Sequence, residues 1–391
     1  MTIAYLINHI GQTGVNNVVL DLVVQMVAHG HECCVFYQKE VEEGMKIVDY
    51  PCEVRRLQSW NDLNGYDVVH AHGMGPEMLA LKARLRSKMK GEKLLRSVQG
   101  CKSSTARSVF TRSSDALHLE PGTSSGKVLL VTTLHCYCFQ DFFDLYGKVK
   151  GTLMGVGYLM TKKSFDRVVC LSKDMMQYYE RWIPKRKLTY VYNTRSIDTA
   201  QLTVSDEEQE MLMRCKGDGV LIGMNCVLLY RKGIDVMLKA MALLPDRFRL
   251  MIVGDGKEKE TFQQMAQELG VEQRVCFAGR RNEACRYLPY YDIYAMPSRS
   301  EGFPLVLLES AACGTKVVAS NLPVVKECFT DNEVVTFDMP DAHALANAII
   351  KADEMEQLGE NLKKRFEQDY APEVFYRRYM EVYGGGAAFQ V

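Results

Sequence analysis

Short apolar runs alternate with longer segments of helical period along almost the whole chain, and this alternation constrains the fold more than any other feature. In the first half the runs are Ile3–Ile7, Cys33–Tyr37, Val54–Leu57, Asp67–His70, Val128–Thr133, Arg167–Cys170 and Leu188–Val191. In the second they are Val220–Met224, Arg249–Val253, Val275–Ala278, Asp292–Met296 and Val317–Ser320. Strands separated by helices predict parallel sheets covered on both faces. The fold class is therefore α/β, with two similar doubly wound domains. Ligands in such sheets sit beyond the carboxyl ends of the strands. With 391 residues and 47% hydrophobic content, two full cores can be built. A polar stretch, Asn193–Leu202, divides residues 1–192 from a second domain that starts at 193.

Several function classes are excluded or disfavoured. No uninterrupted apolar run is long enough to span a bilayer, and the first strand begins without a charged leader, so a cytoplasmic protein is expected. Thirteen cysteines, scattered through strands and helices, fit reduced thiols better than disulfides. There is no Asp-x-Asp pair to hold a metal on a nucleotide sugar and no Walker loop. The net charge of zero conceals a division: residues 1–192 hold 25 Lys and Arg against 18 Asp and Glu, a surplus of +7 that the rest of the chain cancels. The first half is the one suited to an anionic partner; nucleic acid is not expected.

In the first half, Gly11 and Gly14 follow the first strand, where glycine permits either a tight turn or close approach of backbone to a ligand. His70 and His72 end a buried-looking strand and read either as two metal ligands or as one packing and one cleft residue. His135, followed by Cys136 and Cys138, is another strand-end histidine, and a polar contact to bound substrate is its more useful reading. In the helix after His72, Met78, Leu81, Leu85 and Met89 make an apolar stripe, and Lys82, Arg86 and Lys90 line another face. Such a helix suits an anionic membrane surface or plain solvent equally. The glycine-rich run VKGTLMGVGYLM favours close helix packing over membrane contact, and Cys101–Lys127 reads as an insertion or an acceptor-side loop.

The second half carries PSRSEGFPLVLLESAACG, Pro297–Gly314. A strand ends at Pro297, and Pro304 is expected at the first helical position. A helix N-terminus is a seat for phosphate, and Glu301 and Glu309 flank it. Glu309 falls about 7 to 8 Å along the axis from Pro304, room for a diphosphate between the two carboxylates. Arg231 and Lys232 precede another helix start and suit a diphosphate leaving group. The loops at Gly254 and Gly256, and at Gly279 and Arg280, end strands on the same edge of the sheet.

Together, DVVHAHG, TTLH, the VYN at Val191–Asn193, RKGID, VGDG, FAGR and PSRSEGFPLVLLESAACG resemble a glycosyltransferase of the two-Rossmann-domain (GT-B) type, family 4 of the retaining enzymes. The resemblance implies two Rossmann-like domains facing across a cleft. It implies that Glu309 binds the donor ribose and that Glu301 lies by the transferred sugar. Backbone around Gly302, Phe303, Pro304, Leu305 and Val306 meets the sugar and diphosphate. Lys232, helped by Arg231, neutralises the diphosphate, Arg280 sits at the base, Gly14 lets the first domain close over the phosphates, and His135 is the histidine at the donor sugar. Residues 193–371 then form the donor domain, and 372–391 a terminal helix and tail returning to the first domain. No metal or other cofactor is required. The sequence departs from the family where Met224 follows Gly223 in place of Arg, in the spaced Gly11 and Gly14, and at Cys101–Lys127.

The function expected is metal-independent, retaining transfer of a hexose-type sugar from a nucleotide diphosphate donor, UDP by family preference. The acceptor expected is a carbohydrate or a polyprenyl-diphosphate glycan of a bacterial surface polysaccharide such as lipopolysaccharide, met at the inner face of the cell membrane. A nucleotide-sugar epimerase or phosphorylase on the same fold is the alternative, and a metal-dependent hydrolase built on His70 and His72 a further one.

Overall fold

A computed structural model describes residues 1–42, 45–89 and 128–384. The Cys101–Lys127 segment and Lys90 lie outside the described residues. The first sheet holds β1 (Thr2–Ile7), β2 (Glu32–Tyr37), β3 (Glu53–Arg56), β4 (Val68–His72), β5 (Leu129–Thr133), β6 (Arg167–Cys170) and β7 (Leu188–Tyr190). All are parallel, in the order β3-β2-β1-β4-β5-β6-β7. It is covered by α1 (Gly14–Ala28), α2 (Met74–Met89), α3 (Cys138–Lys162) and α4 (Lys173–Tyr179).

The second sheet holds β8 (Val220–Asn225), β9 (Phe248–Val253), β10 (Val275–Gly279), β11 (Ile293–Met296), β12 (Lys316–Ser320) and β13 (Val335–Phe337), in the order β10-β9-β8-β11-β12-β13. Its helices are α5 (Asp206–Lys216), α6 (Ile234–Leu243), α7 (Lys259–Glu268), α8 (Leu305–Cys313), α9 (Pro323–Cys328), α10 (Ala342–Glu354) and α11 (Leu358–Arg365). The last helix, α12 (Pro372–Gly384), follows. Strand order reverses between β1 and β4 in one sheet and between β8 and β11 in the other, so each sheet opens a ligand crevice at that point.

Local chemistry sets the element ends. Thr13 has extended backbone and accepts the Asn16 amide, so α1 starts at Gly14. Val18, Val19, Leu22, Val23 and Met26 of α1 then pack on Ile3, Tyr5 and Ile7. β13 has only three residues, too few to show a period, and was not expected.

The long element α3 is a hairpin. Gly147, at φ 73°, breaks the helix and folds its second limb back on the first. The Phe142 and Tyr158 rings meet edge-on at 5.6 Å, a contact that a straight helix could not make across sixteen positions. A Cβ at Gly151 would stand 2.6 Å from Phe142 O, and one at Gly155 would stand 2.5 Å from the Phe139 ring. The glycines therefore pack as expected. The outer surface is bare apolar side chain: Leu145, Val149, Leu153, Val156 and Met160 are exposed, Val149 by 89% and Leu153 by 75%.

α12 carries the chain back across the cleft. Phe375, Tyr379, Val382 and Tyr383 are buried in the first domain's core with Tyr5 and Val19. The Tyr383 hydroxyl lies 2.7 Å from His70 Nδ1, and Tyr379 O–H lies 3.3 Å from Thr133 Oγ1. Tyr379→Ala should therefore destabilise the first domain by about 3–5 kcal/mol, read as a lower urea midpoint for its unfolding; an unchanged midpoint would show that α12 is a dispensable appendage.

Candidate functional site

On the second-domain side, β11 ends at Met296 and the chain from Pro297 to Pro304 crosses to α8. Pro304 has extended backbone (φ −76°, ψ 107°), so it is the N-cap and Leu305 is the first helical residue; the expected helix start moves by one. Leu307 N–H bonds Pro304 O at 3.1 Å, and the amides of Leu305 and Val306 are those a helix start leaves without an internal partner. After β8, Tyr230–Lys232 form a single turn that closes at Gly233. Gly233 has φ 70°, and a Cβ there would stand 1.7 Å from Pro297 O, so the two loops touch only because this residue is glycine.

Arg299 locks that contact. It forks onto Asp235 at 2.9 and 2.8 Å, lies 3.7 Å over the Tyr230 ring, and its amide bonds Arg231 O at 2.8 Å. Two predicted site groups are thereby brought together. Lys232 Nζ donates to Glu301 Oε1 at 2.6 Å, and Arg231 donates to Ser300 O at 2.9 Å with its guanidinium 3.9 Å from Glu301 Oε2. The sequence reading gave Lys232 and Glu301 separate ligands; the fold makes them partners.

The first-domain wall lies opposite. A Cβ on Gly302 would stand 2.5 Å from His135 O, so the Glu301 loop abuts His135. Ser300 Oγ lies 3.3 Å from Gln140 Oε1. Burial raises the Asp141 carboxyl, while Arg231 draws it back down from across the cleft. His135 is half-buried, and its Nε2 lies 3.0 Å from Nδ1 of buried His72. Burial, aided by the Lys162 charge, pushes the His135 imidazole down to about 3, so it is neutral. Beneath it, Lys162 pairs with Glu77, both fully buried, and Thr132 Oγ1 donates to Glu77 Oε1 at 2.6 Å. His70 engages Tyr383 through Nδ1 and Thr133 through Nε2, at 2.7 and 2.8 Å. Both its nitrogens are taken, and among the described residues no group of three His, Cys, Asp or Glu is placed to hold a metal, so the hydrolase reading of His70 and His72 loses its ligands.

Glu309, half-buried on α8, is not free. Its Oε1 accepts from Arg195 Nε at 3.0 Å, and the same guanidinium donates to Asp21 Oδ2 at 2.7 Å. Ser196 N–H reaches Asp21 Oδ1 at 2.9 Å. Burial raises the Glu309 and Asp21 carboxyls, and Arg195 opposes that in both. For Arg195, burial pulls down but Asp21 and Glu309 outweigh it, so it stays charged. A second clasp uses Glu327 of α9, whose carboxylate accepts Lys173 N–H, Asp174 N–H and Tyr192 O–H at 2.7, 2.9 and 2.7 Å. Phe303 is buried against Tyr192 and Tyr370 and offers the site only backbone. Gly14 is exposed at the start of α1, and Arg280 is exposed at the end of edge strand β10, apart from the Lys232–Glu301 cluster. Sequence reasoning missed Arg195, Asp21, Asp141 and the pairing of His72 with His135. One signal was available: Asp21 is a lone acid inside the apolar helix VVLDLVVQMV.

Residues 216–369 match the family described as glycosyl transferases group 1. The O-antigen biosynthesis glycosyltransferase WclY of Escherichia coli is 27% identical over 357 residues, 90% of this chain and 89% of WclY. Sucrose-phosphate synthase of Thermosynechococcus elongatus superposes with a TM-score of 0.74 at 18% identity, over 98% of both chains. HepE of Anabaena, crystallised with UDP and glucose, superposes at 0.72 with 17% identity, over 99% of this chain and 100% of its own. These likenesses establish a GT-B fold.

The buried triad sets a test of the hinge. Arg195→Met strands two buried carboxylates and should cost about 3–5 kcal/mol of stability, measured by denaturant unfolding at neutral pH. A loss below about 1 kcal/mol, the worth of an exposed pair, would mean that the triad is solvated in solution.

Proposed function

We propose, for a chain whose residues 216–369 form a group 1 glycosyltransferase domain within a GT-B fold, that it transfers a hexose-type sugar with retention from a UDP-linked donor to a carbohydrate or lipid-linked glycan acceptor. The observation that carries this reading is the meeting of Lys232, Arg231 and Glu301 beside the start of α8, at the switch point of the second sheet and against His135 of the first. The naming of WclY as an O-antigen biosynthesis enzyme supports a surface polysaccharide as the product. HepE, solved with UDP and with UDP-glucose, supports the donor class.

The chemistry follows from fixed charge. The diphosphate oxygens take Lys232 from Glu301, and Glu301 is released to the hydroxyls of the sugar. Leu305 and Val306 amides and the α8 dipole receive the anion. As the bond from C1 to diphosphate breaks, negative charge grows on the leaving oxygen, and Lys232 and Arg231 stabilise it without reorganisation. The acceptor oxygen bonds C1 on the same face, and its proton passes to the departing diphosphate. Glu309 keeps one oxygen for Arg195 and offers the other to the ribose. Arg280 lies at the base, Gly14 faces the phosphates, and no metal or other cofactor takes part.

The acceptor enters from the membrane side. Exposed Leu145, Val149, Leu153, Val156 and Met160 on the α3 hairpin, with Lys148 and Lys150 beside them, match the apolar and anionic layers of a bilayer surface. On α2, Lys82 and Leu85 are exposed as well; the side chain of Arg86, like Lys90, lies outside the described set. Among the described residues no helix is long and apolar enough to cross a membrane.

Lys232→Ala should lower turnover on saturating UDP-sugar about a hundredfold, and Glu309→Ala should abolish the UDP stabilisation of about 2.7 kcal/mol expected at 100 times the dissociation constant. If no nucleotide diphosphate shifts the melting midpoint of the unaltered protein, the donor site is misassigned. For the membrane, the protein should sediment with phosphatidylglycerol-containing vesicles at low salt, and a Val149→Glu/Leu153→Glu variant should remain in the supernatant; equal sedimentation of both sinks the contact.

A further inference from the structure

We infer that His72 is a positioning residue that fixes the proton on His135, so that His135 meets the transferred sugar as a neutral Nδ1–H donor. The inference rests on the reading above that His135 faces that sugar. His72 is the last residue of β4, and in the parallel register it pairs with Thr133 of β5, two residues before His135. That register brings the two rings together, with His72 Nδ1 3.0 Å from His135 Nε2. A contact of this length between two imidazole nitrogens holds one proton, carried by one ring or by the other.

The far side of His72 decides which. Its Nε2 is buried and without a partner among the described residues. The rings nearest to it offer no acceptor: the His70 centroid is 4.2 Å away with both its nitrogens engaged, and Tyr5 is at 6.4 Å with its hydroxyl facing Tyr383. If His135 carried the shared proton, neutral His72 would have to hold its own on Nε2, as a buried N–H with no acceptor. Orphaned buried N–H groups are rarer in folded proteins than under-used acceptors. If His72 carries the shared proton on Nδ1, its Nε2 is a bare lone pair and no donor is stranded. A doubly protonated His72 is excluded by full burial between His70, His135 and the Lys162 charge.

The consequence passes to His135. Its Nε2 is occupied as an acceptor, so a neutral ring must carry its proton on Nδ1. Nδ1 has no protein partner among the described residues and is not sealed from solvent as His72 Nε2 is. His135 therefore presents a donor for a sugar hydroxyl oxygen, and it cannot act there as a base. The two clasped histidines work as one relay of orientation, with His72 buried and His135 at the wall of the cleft.

Imidazole nitrogen correlation spectra of the nitrogen-15 histidine-labelled full chain test the proton placement without substrate. Both His72 and His135 should be protonated on Nδ1, and His135 protonated on Nε2 overturns the inference. In activity, His72→Leu should lower turnover about tenfold with UDP affinity unchanged, and should release His135 to the Nε2–H form. His72→Asn, whose amide N–H stands where Nδ1–H stood, should recover turnover to within about threefold of the parent. Equal losses in both variants with an unchanged His135 tautomer would make His72 a packing residue and overturn the role given to it. If the tautomers are as expected but His135→Ala turns over normally, the proton placement stands and the sugar contact of the underlying reading fails.

Discussion

The guanidinium of Arg195 holds this molecule in one arrangement. It stands in the linker after β7, bonded to Asp21 of α1 on one side and to Glu309 of α8 on the other. Three charges taken out of water together are stable only while each keeps its partners. The triad therefore acts as a ruler: the angle of α8, and with it the direction of its free amides, is referred to a helix of the opposite domain. Glu327 repeats the device at the other edge of the cleft by capping the start of α4. Between these two clasps the Glu301 loop meets His135 backbone to backbone, with no side chain between them.

Much of this was legible in the sequence. Twelve of the strands were bounded to within a residue or two, because strands buried on both faces read as compact apolar runs between helical segments. The exceptions have physical reasons. β13 is too short for a period. Pro304 tolerates both the N-cap and the first helical position, so sequence alone could not choose between them. The α3 hairpin was hidden because Gly147 lies in a run that is otherwise helical throughout.

The site divides along the same line. Glu301, Lys232 and His135 could be singled out because each sits at a strand end or just before a helix start, positions that sequence marks, and Glu309 because it lies one turn inside the helix that follows Pro304. Their partners could not. Arg195 reaches Asp21 across 174 positions and Glu309 across 114, and His72 reaches His135 across 63, distances over which only the sheet registers and the hinge decide contact. The fold thus adds pairing to a set of residues that the sequence already contained. It also converts an overall charge of zero into a working asymmetry, with the basic half of the chain carrying the bare apolar hairpin.

The return of α12 has a consequence for how the chain is made. Phe375, Tyr379 and Tyr383 fill the first domain's core, and Tyr383 satisfies His70, yet they follow the whole second domain in sequence. Until they arrive, the domain synthesised first has an open apolar seat and an unpaired buried imidazole. The second domain, contiguous in sequence, needs nothing from outside itself to close its sheet. The domain first in sequence is therefore complete only when the chain that follows the second domain has folded back onto it.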